Sequence, residues 1–384
     1  MSTCRIMVSE DPAAVSAVAW DAVAQYSLMS SHRWQSFWAA AQAPSLPRSR
    51  TAVIAVYDGD HMVGHCGAYR YPYPLPFKQA WQRRAVRSVM WPINPVNFHK
   101  PPQVHPEADP DQVLPLLLKG IDQLRLKWLA PAARMVMLDQ RRDACLLGHL
   151  QQQGYVIAPG ITDTQLDLVW SSFQDYLGQG LQGRHRNYLA RCYRKAVEAG
   201  VELRVIKSPL ACQDQIMALL RNVAAQNRSE TLYDDSFLKA AEQYLRQDDV
   251  IVIGAWVKGQ MAACTINYRD GNSMIQKSLG MDYALAQPLN LYRLIMAEGI
   301  KYALDSGLNS IRCGFSQYDI KGRLGFEQVD TLTAIKASPS ALARLFTYRS
   351  GAMQTEGKTL DRSPAGSSSS RARGNLSGKA GPSL

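Results

Sequence analysis

Two segments of the chain share one succession of apolar and polar positions. Residues 51–69 align without gaps to residues 250–268, and four of the nineteen paired positions are identical. Each segment has an apolar run, a polar turn that contains Gly59 or Gly259, and a second apolar run. This pattern predicts a β-hairpin in each segment. The chain therefore contains a candidate internal repeat.

The elements that follow each hairpin also occur in the same order, namely a helix, a strand and a second helical segment. Their predicted ranges are 111–129, 135–138 and a helix ending at Gly154 in the first half, and 288–305, 310–313 and 318–326 in the second. We therefore expect two tandem α/β domains, each a twisted mixed sheet flanked by helices. The predicted domains are 1–165, a degenerate first copy, and 166–348.

The two halves differ in the segment between hairpin and helix. Residues 71–115 hold ten of the twenty prolines of the chain, which predicts a long irregular loop. A surface excursion is the simpler interpretation, although its aromatic residues and Arg83, Arg84 and Arg87 leave open a role in shaping a substrate groove. Residues 349–384 are rich in Ser, Gly and Pro and poor in apolar residues, so we expect a disordered tail.

Composition indicates a globular protein, because 46% of the residues are apolar. No run of 18 apolar residues occurs and the N-terminus lacks the apolar core of a signal peptide, so we expect a cytoplasmic protein without a transmembrane segment. The seven scattered cysteines are expected to be reduced thiols. The net charge of +11 indicates either an anionic partner or a device for solubility.

Several enzyme classes lose support because their motifs are missing. The sequence has no phosphate-binding G-x-x-x-x-G-K-[ST], no G-x-G-x-x-G after a strand, no G-x-S-x-G and no H-E-x-x-H. His61 and His65 are four residues apart, but they follow a hairpin turn, where this spacing does not bring them together. We therefore predict no metal site.

The first positive signal is a basic segment at 184–200, predicted to be a helix that is followed by a strand at 201–206. A solvated basic face is an equally good interpretation, but guanidinium groups suit bidentate contacts with phosphate. The candidate phosphate-binding residues of this helix are Arg184, Arg186, Arg191 and Arg194.

The second signal is the segment 318–326, in which Lys321 lies near two glycines shortly after a predicted strand. An ammonium in this position could stabilise the oxyanion that forms during acyl transfer. From the residues alone, an ordinary helix with one exposed lysine is the simpler interpretation.

The sequence motifs resemble those of a known family. Residues 184–206 resemble the R-x-x-(I/L)-x-(R/K)-x-x-x-K-A-x-x-x-G-(V/I) helix of FemAB/FemX-like peptidyltransferases and of CelD/BioF-like acyltransferase domains. Residues 291–307 are similar to the L-Y-x-x-L-x-x-E-x-I-x-Y-A-x-x-x-G helix of the family, and residues 320–325 to its (F/Y)-K-x-x-(F/L)-G motif, with Ile320 replacing the aromatic residue. The resemblance covers about 170–335 and implies tandem GNAT-like domains.

This resemblance implies N-acyl transfer in a gap between splayed central strands. It assigns charge stabilisation at the transferred carbonyl to Lys321, and Asp282, Glu298 and Tyr318 are candidates for the general base. The four arginines of the basic helix would meet a phosphate-bearing ligand. Asn290 and Tyr292 would flank the donor at the N-terminus of the next helix, where free N–H groups favour an anion.

The sequence does not identify the donor, because the Q/R-x-x-G-x-G/A pyrophosphate loop of GNAT domains is replaced by DYALAQPLN before residue 291. We expect no tightly bound cofactor, acyl-CoA as co-substrate, and an amine acceptor on a cell-envelope, polysaccharide or metabolite precursor. An acyl-carrier protein or an aminoacyl-tRNA is an alternative donor. A non-catalytic binding protein on the same scaffold is a further alternative.

Overall fold

The computed structural model describes residues 4–42, 50–70, 89–91, 101–130, 132–227 and 235–337. The predicted tail at 349–384 lies outside the described residues, as does most of the proline-rich segment, including Arg83, Arg84 and Arg87. Within the described part, no helix has the length and apolar character needed to cross a membrane. The seven cysteines are all free thiols.

The first half alternates strands and helices. Its strands are β1 (Arg5–Ser9), β2 (Arg50–Asp58), β3 (His61–Arg70), β4 (Val89–Trp91), β5 (Gln103–Val104), β6 (Ala132–Leu138) and β7 (Val156–Pro159). Its helices are α1 (Ala17–Ala24), α2 (His32–Gln42), α3 (Pro110–Lys127) and α4 (Ala144–Gln152). Pro115, which the sequence analysis placed in the loop, lies inside α3, so the irregular segment ends earlier than predicted.

The second half repeats this alternation. Its strands are β8 (Asp163–Asp167), β9 (Val201–Ile206), β10 (Val250–Val257), β11 (Gln260–Asp270), β12 (Ser273–Met281), β13 (Ser310–Arg312), β14 (Glu327–Val329) and β15 (Leu332–Ala337). Its helices are α5 (Phe173–Asp175), α6 (Gly183–Glu198), α7 (Gln213–Gln226), α8 (Ser236–Tyr244), α9 (Tyr283–Ala286), α10 (Leu291–Asp305) and α11 (Tyr318–Gly322).

Two mixed sheets result, and each has the same order of equivalent strands. Sheet A runs β1-β2-β3-β4-β6-β15-β7, with β5 on β3, and sheet B runs β9-β10-β11-β12-β13-β8-β14. If each half of the chain formed its own sheet, β8 would be the sixth strand of sheet A and β15 the sixth strand of sheet B. The structure shows the reverse, with β15 in sheet A and β8 in sheet B. The predicted boundary between residues 165 and 166 falls inside β8. The halves of the chain therefore exchange one strand.

The hairpin prediction is confirmed in both copies. In the first, Thr51 pairs with Tyr69, and in the second Val250 pairs with Tyr268. Both hairpins also change register at equivalent steps, after Val56 and after Ala255. A β-bulge at the same place in both hairpins is a specific local device and supports the internal repeat.

Alternation along the hairpin strands gives each sheet two apolar faces. In β2, Ile54 faces the core under α3, whereas Val53 faces the smaller core under α1. In β10, Ile253 faces the core under α6 and α10, whereas Val252 faces the core under α7 and α8. Burial of these side chains, at about 25 cal/mol per Å² of apolar area, is the main stabilising contribution.

Helix α2 joins the two halves in a second way, because it packs on sheet B although it belongs to the first half. Trp34 meets the Tyr268 ring edge-on at 4.9 Å, and Phe37 meets Phe237 at 5.4 Å. Beside them, Arg33 donates to the mostly buried Asp249 at 2.8 Å. Helix α2 is therefore part of the core of sheet B.

Candidate functional site

The central strands of sheet B separate at one end. β12 and β13 are parallel and pair only from Ser273 to Ile275 and from Ser310 to Arg312. β12 continues to Met281, whereas β13 stops at Arg312. The sheet therefore opens into a V beyond the pair of Ile275 with Arg312.

A β-bulge lies at the point where this V opens. Ile266 of β11 pairs with Ser278, but the next residue, Asn267, pairs with Gln276. Lys277 is therefore an extra residue in β12, and such a bulge re-aims the strand and its side chains. No role for Lys277 was predicted from the sequence, because the bulge is defined only by the pairing of β12 with β11.

A buried carboxylate and two partly buried cations lie at this opening. Asp163 is completely buried and accepts hydrogen bonds from Arg312, whose Nε lies 2.8 Å from one carboxylate oxygen. Burial lowers the pKa of Lys277 to about 8, and the charge of Asp163 opposes part of this shift. An amine with this pKa is partly neutral near neutral pH and can accept a proton.

A cavity of about 630 Å³ lies between the two sheets next to this ion pair. Arg312, Ser273 and Ser310 line it from sheet B, and Arg142 and Asp143 line it from the first half. Ser273 and Ser310 share a hydrogen bond of 2.7 Å. The cavity therefore presents charged and hydroxyl groups to a polar ligand.

Lys321 lies in α11 and is almost fully buried. Its Nζ donates to the backbone oxygens of Cys313, Gly314 and Phe315 at 2.9, 3.0 and 3.3 Å. These residues directly follow β13 and border the V. In this conformation the ammonium holds the loop at the opening through its three carbonyl oxygens.

Of the three predicted general-base candidates, Glu298 accepts a hydrogen bond from the Tyr193 hydroxyl at 2.8 Å, and the other two bond to the backbone. The Tyr318 hydroxyl donates to the oxygen of Thr162 at 2.8 Å, which ties α11 to the residue before β8. Asp282 caps α9, accepting from the N–H groups of Ala284 and Leu285. It follows β12 and therefore lies at the outer end of the V.

The predicted basic helix is α6, and the strand predicted after it is β9. Arg184, Arg186, Arg191 and Arg194 are all exposed. Arg186 donates to the oxygen of Gly178 at 3.0 Å. The predicted helix and its solvent-facing arginines are thus present.

The structure brings α6 next to the N-terminus of α10. The Tyr188 hydroxyl donates to Asn290 at 3.2 Å, and Lys195 donates to the oxygen of Pro288 at 2.7 Å. The guanidinium of Arg293 lies 4.4 Å from the centre of the Tyr188 ring, and that of Arg191 lies 5.5 Å from it. The positions of Tyr188 and Arg293 at this junction were not predicted from the sequence. Tyr292 is partly buried against the core under α6 and α10.

Positive charge concentrates at this junction. Burial lowers the pKa of His185, and the charges of Arg184, Arg323 and Arg293 lower it further. Of these cations, Arg323 pairs with Asp319 at 2.8 Å. The first turn of α10 carries no acidic residue, so its positive dipole end adds to the same field. An anionic group such as a phosphate would be stabilised here.

Comparison with known proteins gives two kinds of match. Residues 183–322 match the family model described as Acetyltransferase (GNAT) domain. The structure of FemX is similar with a TM-score of 0.59 and 11% identity, over 87% of this chain and 98% of that one.

A conserved protein of unknown function from Bacteroides thetaiotaomicron is similar with a TM-score of 0.50 and 13% identity, over 86% of this chain and 99% of that one. A search of curated proteins finds no match. At these identities the structural matches establish the fold.

Proposed function

We propose that the second copy, whose residues 183–322 match the GNAT acetyltransferase domain model and whose fold is similar to that of FemX, moves an acyl group from acyl-CoA, or from a carrier-bound acyl group, to an amine. The family resemblance expected from the sequence motifs is confirmed. The observation that carries the proposal is the V between β12 and β13, which has the positive N-terminus of α10 beyond its open end and a polar cavity at its closed end, where Ser273 pairs with Ser310.

We place the donor on the α6 side of the V. Its phosphate groups would lie against the junction of α6 and α10, where the positive field and the α10 N–H groups meet them. Arg184, Arg191 and Arg293 supply charge there, with Arg186 and Arg194 further along the exposed face of α6. The acyl carbonyl would then reach the bulge at Lys277.

We place the acceptor in the cavity between the sheets. The charged and hydroxyl groups of its lining suit a polar amine, such as that of a cell-envelope, polysaccharide or metabolite precursor. The acceptor nitrogen attacks the acyl carbonyl, a C–N bond forms and the C–S bond of the donor breaks. Lys277 takes the proton that the nitrogen loses, and the leaving thiolate is protonated in turn.

We assign Lys321 a positioning role at the edge of the V. Its three hydrogen bonds fix the carbonyl oxygens of residues 313–315, and contact with the transferred carbonyl would require one of these bonds to be exchanged. Tyr318 and Asp282 would act similarly, by holding α11 against β8 and by capping the segment after β12.

The test is an assay of thiol release with a panel of acyl-CoAs and amine acceptors. We expect turnover to depend on both substrates. Lys321→Ala should reduce turnover by about 10²-fold, which is the scale of a lost oxyanion contact or of a displaced loop. Lys301→Ala, at an exposed lysine of α10, is the matched control and should keep full activity. Absence of acyl transfer with every donor, from a folded protein, would overturn the proposal.

An aminoacyl-tRNA is the second candidate donor, and the exposed arginines of α6 favour it because a polyanion could follow them. Counterion release would make tRNA affinity fall steeply as the salt concentration rises. Acyl transfer that survives ribonuclease would exclude this donor.

A further inference from the structure

A second cluster of reactive side chains lies in the first half, away from the V. Asp111, Cys145 and His149 each offer one potential ligand atom, and these three atoms lie within 4.8 Å of one another. His149 Nε2 is 2.9 Å from Oδ1 of Asp111, and the Cys145 sulfur is 3.7 Å from the same oxygen.

The helices fix this geometry. Cys145 and His149 are four residues apart in α4 and therefore share one face. Asp111 lies in the first turn of α3, which packs beside α4. Leu146 and Leu150, which directly follow the two ligands in the sequence, anchor α4 in the core of sheet A. The three ligand atoms thus come from two well-packed helices.

The Cys145 thiolate and the Asp111 carboxylate would repel each other if both were ionised, because their ligand atoms are 3.7 Å apart. A divalent cation placed between these groups would reverse this effect, because it favours the thiolate and the carboxylate together.

We propose that Asp111, Cys145 and His149 form a binding site for a divalent first-row transition metal, with Zn²⁺ as the preferred ion. Sulfur, imidazole nitrogen and carboxylate oxygen are the ligands that Zn²⁺ takes in proteins, and three protein ligands leave one position open. Cys145 also lines the cavity between the sheets, so this position is near the proposed acceptor space.

This site contradicts our sequence-based expectation of no metal. The pair Cys145 and His149 has metal-ligand spacing only if the segment is helical, and the third ligand is 34 residues away in the sequence. His61 and His65, the histidine pair that is visible in the sequence, lie at the start and the middle of β3.

The experiment is a titration of the chelator-treated full chain with Co²⁺, which reports its ligands by absorption. We expect one equivalent to bind with a thiolate-to-cobalt charge-transfer band in the near ultraviolet and with tetrahedral d–d bands, and Zn²⁺ to displace it. Cys145→Ser should remove the charge-transfer band, and His149→Gln should weaken binding by at least about 10-fold.

Cys212→Ser is the matched control, because Cys212 is another partly exposed thiol outside the cluster, and its spectrum should equal that of the parent. Circular dichroism confirms that each variant is folded. Cobalt binding without a charge-transfer band, or with equal affinity in folded Cys145→Ser, would overturn the proposal. The result is independent of acyl transfer, since the readout is spectroscopic.

Discussion

Helix α3 of the first copy and helix α10 of the second copy occupy equivalent places in the repeat, but the side chains at their N-termini carry opposite charges. In the first copy, the side chain of Asp109 caps α3 and accepts from the N–H of Asp111, which adds a second carboxylate. In the second copy, the side chain of Asn290 makes no capping hydrogen bond to α10. The guanidinium of Arg293 lies in the first turn instead.

This difference separates two uses of one scaffold. Carboxylates at the start of α3 neutralise its positive dipole end, which stabilises the helix. At the start of α10 no carboxylate neutralises the dipole, so its positive field can act on a ligand. Cations of α6 add to this field. The repeated fold therefore supports a donor site in the second copy, whereas the corresponding position in the first copy serves helix stability and, by our proposal, a metal ion.

The largest effect is expected at the V of the second copy. Lys277→Met removes the proposed proton acceptor, and we expect turnover to fall by about 10²-fold or more. The neutral amine is the active form, so the activity of the parent should rise with pH through about 8. The variant should lose this rise in a pH–rate profile.

Lys301→Met provides the control for charge removal, and its profile should match that of the parent. A Lys277→Met variant that keeps both the turnover and the rise near pH 8 would assign the proton transfer to another group.

A smaller effect, on the pH dependence of stability, is expected at His65, whose equivalent in the second hairpin is Cys264. His65 is buried against Trp20, with ring centres 3.9 Å apart, and burial lowers its pKa to about 3. The unfolded chain takes up a proton near pH 6.5 and the folded chain does not, so stability falls as the pH drops from 6.5 towards 3.

Between pH 8 and pH 5 this linkage should remove about 2 kcal/mol from the free energy of unfolding. His65→Cys, which copies the second hairpin, should flatten that part of the pH dependence in urea titrations, whatever its stability at pH 8. An equal slope in parent and variant would show that other groups dominate acid unfolding.

The smallest effect concerns the two helix N-termini directly. Asn290→Asp gives α10 a carboxylate cap like that of α3, and repulsion of the donor phosphate should raise the donor KM about 5-fold, equivalent to about 1 kcal/mol. The reciprocal change Asp109→Asn should leave the donor KM unchanged. If both variants behave alike, the phosphate does not lie at α10.

Local features of the fold could be predicted from the sequence. The registers that join Thr51 to Tyr69 and Val250 to Tyr268 follow from a short turn between two apolar runs. The basic helix was predictable because its composition and the terminal Gly200, which adopts a φ of +68°, are local signals.

Non-local features could not be predicted. β8 and β15 are short strands, and the sheet that each joins depends on partners far away in the sequence, such as Arg312 for Asp163 of β8. The role of Lys277 depends on a bulge that is defined only against β11, and the bonds of Lys321 depend on where the 313–315 loop lies. The ligand cluster of α3 and α4 likewise needs two helices to pack.

The exchanged strand also sets the order in which the protein can be completed during synthesis. β6 and β7 each pair with β15 and not with each other. The edges of β6 and β7 that face β15 therefore stay open until Ala337 has been made, 178 residues after Pro159. At about 5–20 residues per second, this delay is roughly 10–35 s. The nascent first half therefore carries two unpaired strand edges for that time and depends on the end of the second half to close them.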